Sequence, residues 1–216
     1  MIDMRTGRPR KLIFGVGVND ADYFTSESIT LDGVTKELWR CPYYVKWKSM
    51  LMRCYSESYQ GKNITYKGCS VCEEWHSFMN FRGWMESQNW EDRHLDKDFL
   101  VEGNKVYSPD TCVFLPKLVN SFILTREAKR GVHPIGVYYK QDNSLKNQRK
   151  KPYCAMLNKP YGKYNHLGYY LTPEEAHQVY LKAKLEQCAT HIEEFKDEPL
   201  IVKGLTRIKD KIQCHI

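Results

Sequence analysis

The chain has 216 residues, of which 42% are apolar and 27% are charged, a composition typical of globular proteins with enough apolar side chains for a core. It lacks the roughly 18-residue apolar run of a membrane span and, at its beginning, the apolar stretch of a signal peptide, so we expect neither a membrane protein nor a secreted one. The net charge of +7 indicates an acidic partner, with nucleic acid the first candidate.

Residues 1–40 are predicted to form a basic N-terminal arm and a lead-in. The arm contains Gly7-Arg8-Pro9-Arg10, which resembles an AT-hook, a short extended segment that lies in a narrow minor groove. In this interpretation Arg8 and Arg10 contact DNA. A solvated tail is the alternative, because short Arg-Pro matches are common.

Two amphipathic helices are predicted next, because apolar residues recur at three-to-four spacing. The first runs from Cys41 to Tyr55 and the second from Glu73 to Ser87. Ile64–Gly68 between them is predicted to be a strand and turn. The large side chains of both helices are expected in the core: Tyr44, Trp47, Leu51, Trp75, Phe78, Met79 and Trp84.

Cys69 and Cys72 form a C-x-x-C pair, which could be half of a structural zinc site completed by Cys54 and Cys112. A second C-x-x-C is missing, so buried free thiols are the favoured interpretation. Eight cysteines without a signal peptide also favour a reducing cytoplasm.

Residues 95–122 are predicted to form strand, turn, strand and helix. The strands are Leu95–Leu100 and Cys112–Leu115, with a turn at 103–105 between them. Pro116 is expected to open a helix that contains Asn120.

This region resembles the ββα-metal core of HNH endonucleases, closest to variants that read D-R-x-D…G-Y-S-P…N. The matching segments are Leu95-Asp96-Lys97-Asp98, Gly103-Asn104-Lys105-Val106-Tyr107-Ser108-Pro109 and Asn120. With the upstream Cys-Pro-Tyr-Tyr and Cys-Glu-Glu-Trp sequences, which are similar to phage-encoded HNH proteins, the resemblance covers about residues 41–122.

The resemblance implies a hydrolase that cleaves phosphodiester bonds with Mg²⁺ or Mn²⁺, and oxygen atoms are the ligands that such cations prefer. Asp96 and the amide oxygen of Asn120 stand at the ligand positions. The alternative is that Asp96 pairs with Lys97 or Arg93 at the surface and that Asn120 forms only local hydrogen bonds.

Lys97 departs from the common family pattern, in which a His general base follows the first Asp. A protonated Lys is a poor base, so we expect Lys97 to clamp the phosphate, and the resemblance assigns Tyr107 as base or nucleophile. His76, His94 and a metal-bound water are the other candidates for the base. A degenerate core that only binds is the alternative.

The entire net charge belongs to residues 126–216, and residues 126–171 hold 10 basic residues against 2 acidic ones. Three strands are predicted, at 135–140, 153–157 and 166–170. A helix follows, because Thr172, Pro173 and Glu175 form a capping box.

Residues 136–184 resemble the APETALA2-type DNA-binding domain that phage HNH enzymes often carry. The matching segments are Gly136-Val137, Lys151-Pro152-Tyr153-Cys154-Ala155, His166-Leu167-Gly168-Tyr169-Tyr170 and Thr172-Pro173-Glu174-Glu175-Ala176-His177. The resemblance implies that the sheet enters the major groove of double-stranded DNA. The expected contacts are Tyr138, Lys140, Tyr153, Lys163 and Tyr164 on or near the sheet and Arg149, Lys150 and Lys151 in a loop.

The sequence therefore predicts an α+β protein in which an HNH core with flanking helices precedes a three-stranded antiparallel sheet packed on one helix. The expected domains are the arm and lead-in (1–40), a nuclease domain (41–125), a DNA-binding domain (126–189) and a C-terminal tail (190–216). The expected function is that of a homing or nicking DNA endonuclease of a phage, acting in the host cytoplasm. The alternative is a catalytically degenerate factor that binds DNA or a host protein.

Overall fold

The computed structural model describes residues 2–3, 7–9, 11–124, 131–140, 150–158 and 164–216. Helices and strands are mixed, and the C-terminal three-stranded antiparallel sheet is present as predicted. The chain divides into two compact units, Met1–Phe114 and Leu115–Ile216, so the division falls inside the range 41–125. None of the described helices is both long and apolar enough to cross a membrane.

The first unit is built from short strands and helices. Its strands are β1 (Ile2–Asp3), β2 (Arg8–Pro9), β3 (Ser26–Leu31), β4 (Val34–Arg40), β5 (Ser70–Val71), β6 (His94–Asp96) and β7 (Val106–Tyr107), and β8 (Val113–Leu115) begins in it. Its helices are α1 (Pro42–Tyr55), α2 (Glu57–Lys62) and α3 (Phe78–Glu86), with 3₁₀ turns at Ile64–Tyr66 and Glu73–His76.

Helix α1 has the predicted bounds and supplies the centre of the first core. Its inner face buries Trp47, Met50, Leu51 and Cys54. The Trp47 indole Nε1 donates a hydrogen bond of 2.7 Å to the backbone carbonyl of Trp75, and both tryptophans are 0% exposed. This bond joins α1 to the 3₁₀ turn 28 residues further along the chain.

The helix predicted over 73–87 is interrupted at Ser77. The Ser77 side chain accepts a hydrogen bond from the backbone N–H of Asn80 (3.1 Å), as an N-cap does, and donates one to Asp20 (2.6 Å). A new helix, α3, therefore starts at Phe78, and its buried residues include Phe81 and Met85. The interruption lets the backbone N–H of Val18 bond to the carbonyl of His76.

The strand predicted at Ile64–Gly68 is wrong. Ile64–Tyr66 is a 3₁₀ turn, closed by a hydrogen bond from the backbone N–H of Lys67 to the carbonyl of Ile64 (3.0 Å). Ile64 is 74% exposed, so its apolar side chain does not belong to a buried strand.

The hairpin of β3 and β4 was not predicted, although its turn carries a recognisable signal. Asp32 and Gly33 at its tip both have positive φ (50° and 76°), as a two-residue Asp-Gly hairpin turn requires. Every residue of both strands is exposed. Neither strand therefore shows the alternation of buried and exposed residues by which a half-buried strand is recognised.

Two small sheets hold the segment that carries the predicted catalytic residues. Strand β5 pairs in parallel with β7, so that Val71 faces Tyr107, and β6 pairs with β8. The strand predicted at Leu95–Leu100 is shorter than expected, because the chain turns after Asp96. Strand β7 was not predicted.

The described part of the second unit contains a sheet and three helices. Its elements are α4 (Lys117–Ile123), β9 (Val137–Tyr139), β10 (Tyr153–Asn158), β11 (Tyr164–Tyr170), α5 (Pro173–Glu194) and α6 (Pro199–Gln213). The strand order is β11-β10-β9, all antiparallel, which confirms the three predicted strands.

Helix α5 begins at the predicted capping box. The Thr172 side chain accepts a hydrogen bond from the Glu175 N–H (3.1 Å), and the Glu175 carboxylate accepts one from the Leu171 N–H (3.1 Å). Its first turns cover one face of the sheet, where Ala176 packs with Val137 and Ala155.

The region 190–216, for which the sequence suggested only a tail, contains the last turn of α5 and all of α6. Helix α6 buries Ile201 and Leu205 and packs on α5, where the Cys188 thiol donates a hydrogen bond of 3.4 Å to the carbonyl of Leu205. The described part of this region is therefore a structural element of the second unit.

We expect Trp47→Phe to lower the free energy of unfolding by about 2–4 kcal/mol, because it leaves the buried Trp75 carbonyl unpaired and opens a cavity. Chemical denaturation followed by circular dichroism measures this loss. Trp39→Phe is the control, since Trp39 is 44% exposed and its replacement should cost less than about 0.5 kcal/mol. Equal losses in the two variants would contradict the assignment.

Candidate functional site

Asp96 lies at the end of β6 and is half-buried. Its Oδ1 atom accepts two backbone hydrogen bonds, from the N–H of Asp98 (2.9 Å) and of Phe99 (2.7 Å), which hold the carboxylate in place. Burial, together with the neighbouring carboxylate of Asp98, raises the pKa of Asp96 to about 6. Two carboxylates in a partly desolvated corner repel each other unless a proton or a cation lies between them.

Lys97 is buried, with 6% of its surface exposed. Its ammonium group donates to the Asp98 carboxylate at 3.1 Å and lies 6.0 Å from the centroid of the Tyr107 ring. The alternative pairing of Asp96 with Lys97 is thus not the ion pair that forms, because the Lys97 partner is Asp98. Because this ammonium is buried and paired, it is poorly placed for the role of phosphate clamp that the sequence predicts.

Tyr107 is 2% exposed. Burial raises the pKa of its phenol well above the usual range, although the nearby Arg53 acts in the opposite direction. A base or nucleophile would have to be the phenolate, which this environment disfavours. Burial thus favours a neutral phenol beside Arg53.

Arg53 is a candidate that the sequence reasoning missed. It extends from α1, where its guanidinium hydrogen-bonds to Tyr107, donates to the carbonyl of Leu95 (3.4 Å) and lies 5.6 Å from the Tyr66 ring centroid. Arg53, Lys97 and Asp96 all influence the ionisation of Tyr66, so these charges share one corner of the first unit. Only the Arg-Cys-Tyr sequence at the end of α1 could have pointed to it.

Asn120, His94 and His76 are the remaining predicted groups. Asn120 is half-buried in α4, in the second unit, and its pairing with Asp96 stays a prediction. His94 is exposed and stands two residues before Asp96 in β6, so both side chains point to the same face of the strand. His76 packs edge-on near Tyr55, with a centroid distance of 6.3 Å.

Three of the four cysteines considered for zinc have pKa values that are raised by burial. Burial raises the pKa of Cys54 and of Cys112 to about 12, and it also raises the pKa of Cys72. All eight cysteines lie in the described part of the chain, and none of them forms a disulfide. Among the described residues, no three or more His, Cys, Asp or Glu side chains are grouped as metal ligands.

A cleft of about 710 Å³ lies in the first unit, beside these groups. It is lined by Cys72, Glu74, Met79, Asn80, Gly83, Trp84, Ser108, Pro109 and Asp110. The lining includes none of the predicted catalytic residues, so the cleft and the Asp96 corner are separate features.

The register of the second unit's sheet separates the predicted DNA contacts into two faces. Tyr138, Cys154 and Tyr169 lie opposite one another in one row across the sheet, and Tyr139, Tyr153 and Tyr170 form the next row. Tyr153 and Tyr170 pack in the core under α5. Because successive side chains alternate between faces, Tyr153 does not share a face with Tyr138.

We call the face opposite α5 the outer face; it carries Tyr138, Lys140, His166 and Tyr169. Tyr138 is 48% exposed, and Lys140 and His166 are also exposed. The His166 and Tyr169 rings contact each other, with centroids 4.6 Å apart. Alternation puts Lys140 on the same side as Tyr138.

The other predicted DNA contacts are placed as follows. Lys150 and Lys151 are exposed ahead of β10, Arg8 lies in β2, and Tyr164 begins β11. Arg10, Arg149 and Lys163 lie outside the described residues.

Comparison of the chain with protein-family models, with curated proteins and with solved structures finds no match in any of the three.

We expect Asp96→Asn to raise the free energy of unfolding by roughly 1–3 kcal/mol at pH 7.5, because the raised pKa makes the ionised carboxylate costly. The asparagine Oδ1 can still accept both backbone hydrogen bonds. Between about pH 4 and 6 the folded chain binds more protons than the unfolded one, so wild-type stability falls as the pH rises through this window.

The gain should therefore disappear near pH 3, where Asp96 is mostly protonated in both states. Chemical denaturation at the two pH values measures it. The exposed Asp110 supplies the control, and Asp110→Asn should change stability at neither pH. A loss of stability at pH 7.5 in Asp96→Asn would contradict the burial argument.

Proposed function

We propose that this protein is a DNA endonuclease of the HNH type that uses Mg²⁺ or Mn²⁺ and selects its site with the C-terminal sheet. The observation that carries the proposal is the corner at the end of β6, where a half-buried carboxylate with a raised pKa lies beside a second carboxylate and near two cationic side chains. Such perturbed groups cluster at functional sites more often than elsewhere.

The metal would bind at Asp96, with Asn120 as the ligand from α4. Asp98 is a further oxygen donor beside Asp96. A divalent cation relieves the repulsion between the two carboxylates, which burial otherwise makes costly. Few protein ligands suit this chemistry, because Mg²⁺ keeps several positions for water and phosphate. The bound cation would stabilise charge on the phosphate and the leaving oxygen.

Lys97 and Arg53 would supply positive charge beside the metal. Lys97 neutralises Asp98, and Arg53 is held by the Tyr107 phenol, so both groups support the site from the protein side. His94 replaces Tyr107 as our candidate for the general base, because it is exposed on the same face of β6 as Asp96. A neutral imidazole is a suitable base near pH 7.

The outer face would bind double-stranded DNA. It presents Tyr138, Lys140, His166 and Tyr169, with Lys150 and Lys151 exposed next to β10. Lysines neutralise phosphates, and aromatic edges and faces supply contact area against the groove. The charge excess of residues 126–171 supports nucleic acid as the partner of this module.

The alternative is a binding factor derived from such a nuclease, acting as a phage protein on a host system. The burial of Lys97 and of Tyr107 favours it, since neither side chain is placed to contact a scissile phosphate directly. In this case the outer face keeps its role and the Asp96 corner serves only the structure.

We expect the wild-type chain to nick supercoiled plasmid in the presence of Mg²⁺ or Mn²⁺. Asp96→Ala should abolish nicking because it removes the metal ligand, and His94→Ala should lower the rate by about 100-fold, the usual contribution of a general base. Tyr107→Phe should have a smaller effect, limited to the loss of its bond to Arg53.

Asp110→Asn is the control for charge removal and should nick like wild type. If wild type nicks no faster than Asp96→Ala with either metal, the endonuclease proposal is wrong and the binding alternative stands. An equal loss in Tyr107→Phe and Asp96→Ala would instead restore Tyr107 as the reacting group.

For the outer face, we expect Tyr138→Ala to weaken binding to a labelled DNA duplex by about tenfold, or on the order of 1.4 kcal/mol. Tyr139→Ala is the matched control, because Tyr139 is adjacent and equally exposed (50% against 48%) but points to the other face. It should bind within about twofold of wild type. Fluorescence anisotropy without metal measures both.

Binding should also weaken steeply between roughly 50 and 200 mM salt, as phosphate contacts require. A larger effect of Tyr139→Ala than of Tyr138→Ala, or affinity that does not depend on salt, would contradict the assignment of the outer face.

A further inference from the structure

Helix α4, which carries Asn120, is only seven residues long. Isolated helices of this length are unstable in water, and no side chain caps its N-terminus. The direction in which the Asn120 amide points therefore depends on what holds α4. Val119 and Phe122 are its buried residues.

Helix α5 contacts the C-terminal end of α4 through Lys184. The Lys184 ammonium donates a hydrogen bond to the backbone carbonyl of Phe122 and lies 3.8 Å from the centroid of the Phe122 ring. That carbonyl is one of the last four of α4, which have no partner within the helix. A cation at this end also interacts favourably with the helix dipole.

Further side chains on the same side of α5 complete the contact. Cys188 and His191 follow Lys184 by four and seven positions, a spacing that aligns residues on one helix face. The His191 ring packs edge-on against Phe122, with centroids 5.2 Å apart and planes at 82°. Phe122 is thus held between a cation and a buried imidazole.

The Lys184 contact is costly for the protein. Burial lowers the pKa of its ammonium to about 8, and within the described chain its polar partner is a neutral carbonyl rather than a carboxylate. A partly buried ammonium without a counter-charge contributes little to the free energy of unfolding, because its desolvation is not offset. Such a group is better explained by a requirement on the position of α4.

We infer that Lys184 is a positioning residue for Asn120: it fixes α4 on the long helix of the DNA-binding module so that the Asn120 amide is held ready for the metal. This inference rests on the proposed function. It adds that α5 supports two parts of the proposed site: the sheet that would bind DNA and the helix α4, which carries the proposed metal ligand Asn120.

The test uses the full-length chain with Lys184→Met, which keeps the length of the side chain and removes its charge, and with Lys184→Arg, which keeps the charge. Lys182→Met is the matched control, because Lys182 is exposed on the same helix. Three quantities are measured for each: amide hydrogen exchange of α4, Mn²⁺ affinity by titration calorimetry, and duplex affinity without metal.

We expect the backbone amides of residues 118–123 to exchange faster in Lys184→Met than in wild type. Mn²⁺ should bind about 10- to 100-fold more weakly, the usual loss when the support of a metal ligand is removed. Duplex affinity should stay within about twofold. Lys184→Arg should restore both properties, and Lys182→Met should match wild type. The Tm of Lys184→Met should not fall, since a buried charge has been removed.

Unchanged exchange in α4 would overturn the inference, and so would wild-type Mn²⁺ affinity in Lys184→Met. If Lys184→Met instead has a lower Tm, amide exchange of α4 and Mn²⁺ affinity are measured for Lys184→Gln under conditions of equal stability. These two measurements then decide the question. Failure of the proposed function has a different signature: the wild-type chain then binds no Mn²⁺, whereas exchange in α4 still responds to Lys184.

Discussion

The first unit depends on the hydrogen bond from the Trp47 indole to the Trp75 carbonyl. Both residues are fully buried, and an unpaired carbonyl in such surroundings costs free energy. The bond therefore determines how α1 packs against the 3₁₀ turn. The orientation of α1 carries Arg53 towards Tyr107. The chain just before the same turn is tied to β7, because the Cys72 N–H donates a hydrogen bond to the carbonyl of Tyr107.

Desolvation of charge is common to two of the groups to which we assign a function. Asp96 and Lys184 both have pKa values shifted by burial towards the neutral form, one upwards and the other downwards. Each such shift costs stability at neutral pH. Proteins retain costs of this kind at sites where activity requires them.

Local patterns predicted several elements well. The spacing of apolar residues gave α1 its bounds, and the Thr172–Glu175 capping box marked the first turn of α5. The three strands of the second sheet were also predicted. Ile64–Tyr66 was mistaken for a strand, because three residues do not distinguish a 3₁₀ turn from a strand. The hairpin of β3 and β4 was overlooked, because its strands are exposed on both faces and show no apolar alternation.

The predicted site residues divide in a similar way. The sequence brought Asp96, Lys97 and Tyr107 to attention by their motif, but it contained no sign that Tyr107 is buried or that Lys97 pairs with Asp98. Arg53 lies more than 40 positions from Asp96 and shares no motif with it. Tyr138 and Tyr153 looked equivalent, whereas the strand register puts Tyr153 under α5.

By itself, the sequence determined where several of the helices and strands begin, which half of the chain is basic, and which residue types are available for chemistry. These properties follow from interactions between near neighbours and from composition. Only the tertiary structure decided which carboxylate is desolvated, which cation lies beside it, which face of the sheet is open and what holds α4. Burial and strand register depend on contacts between distant residues, and those contacts exist only after the chain has folded.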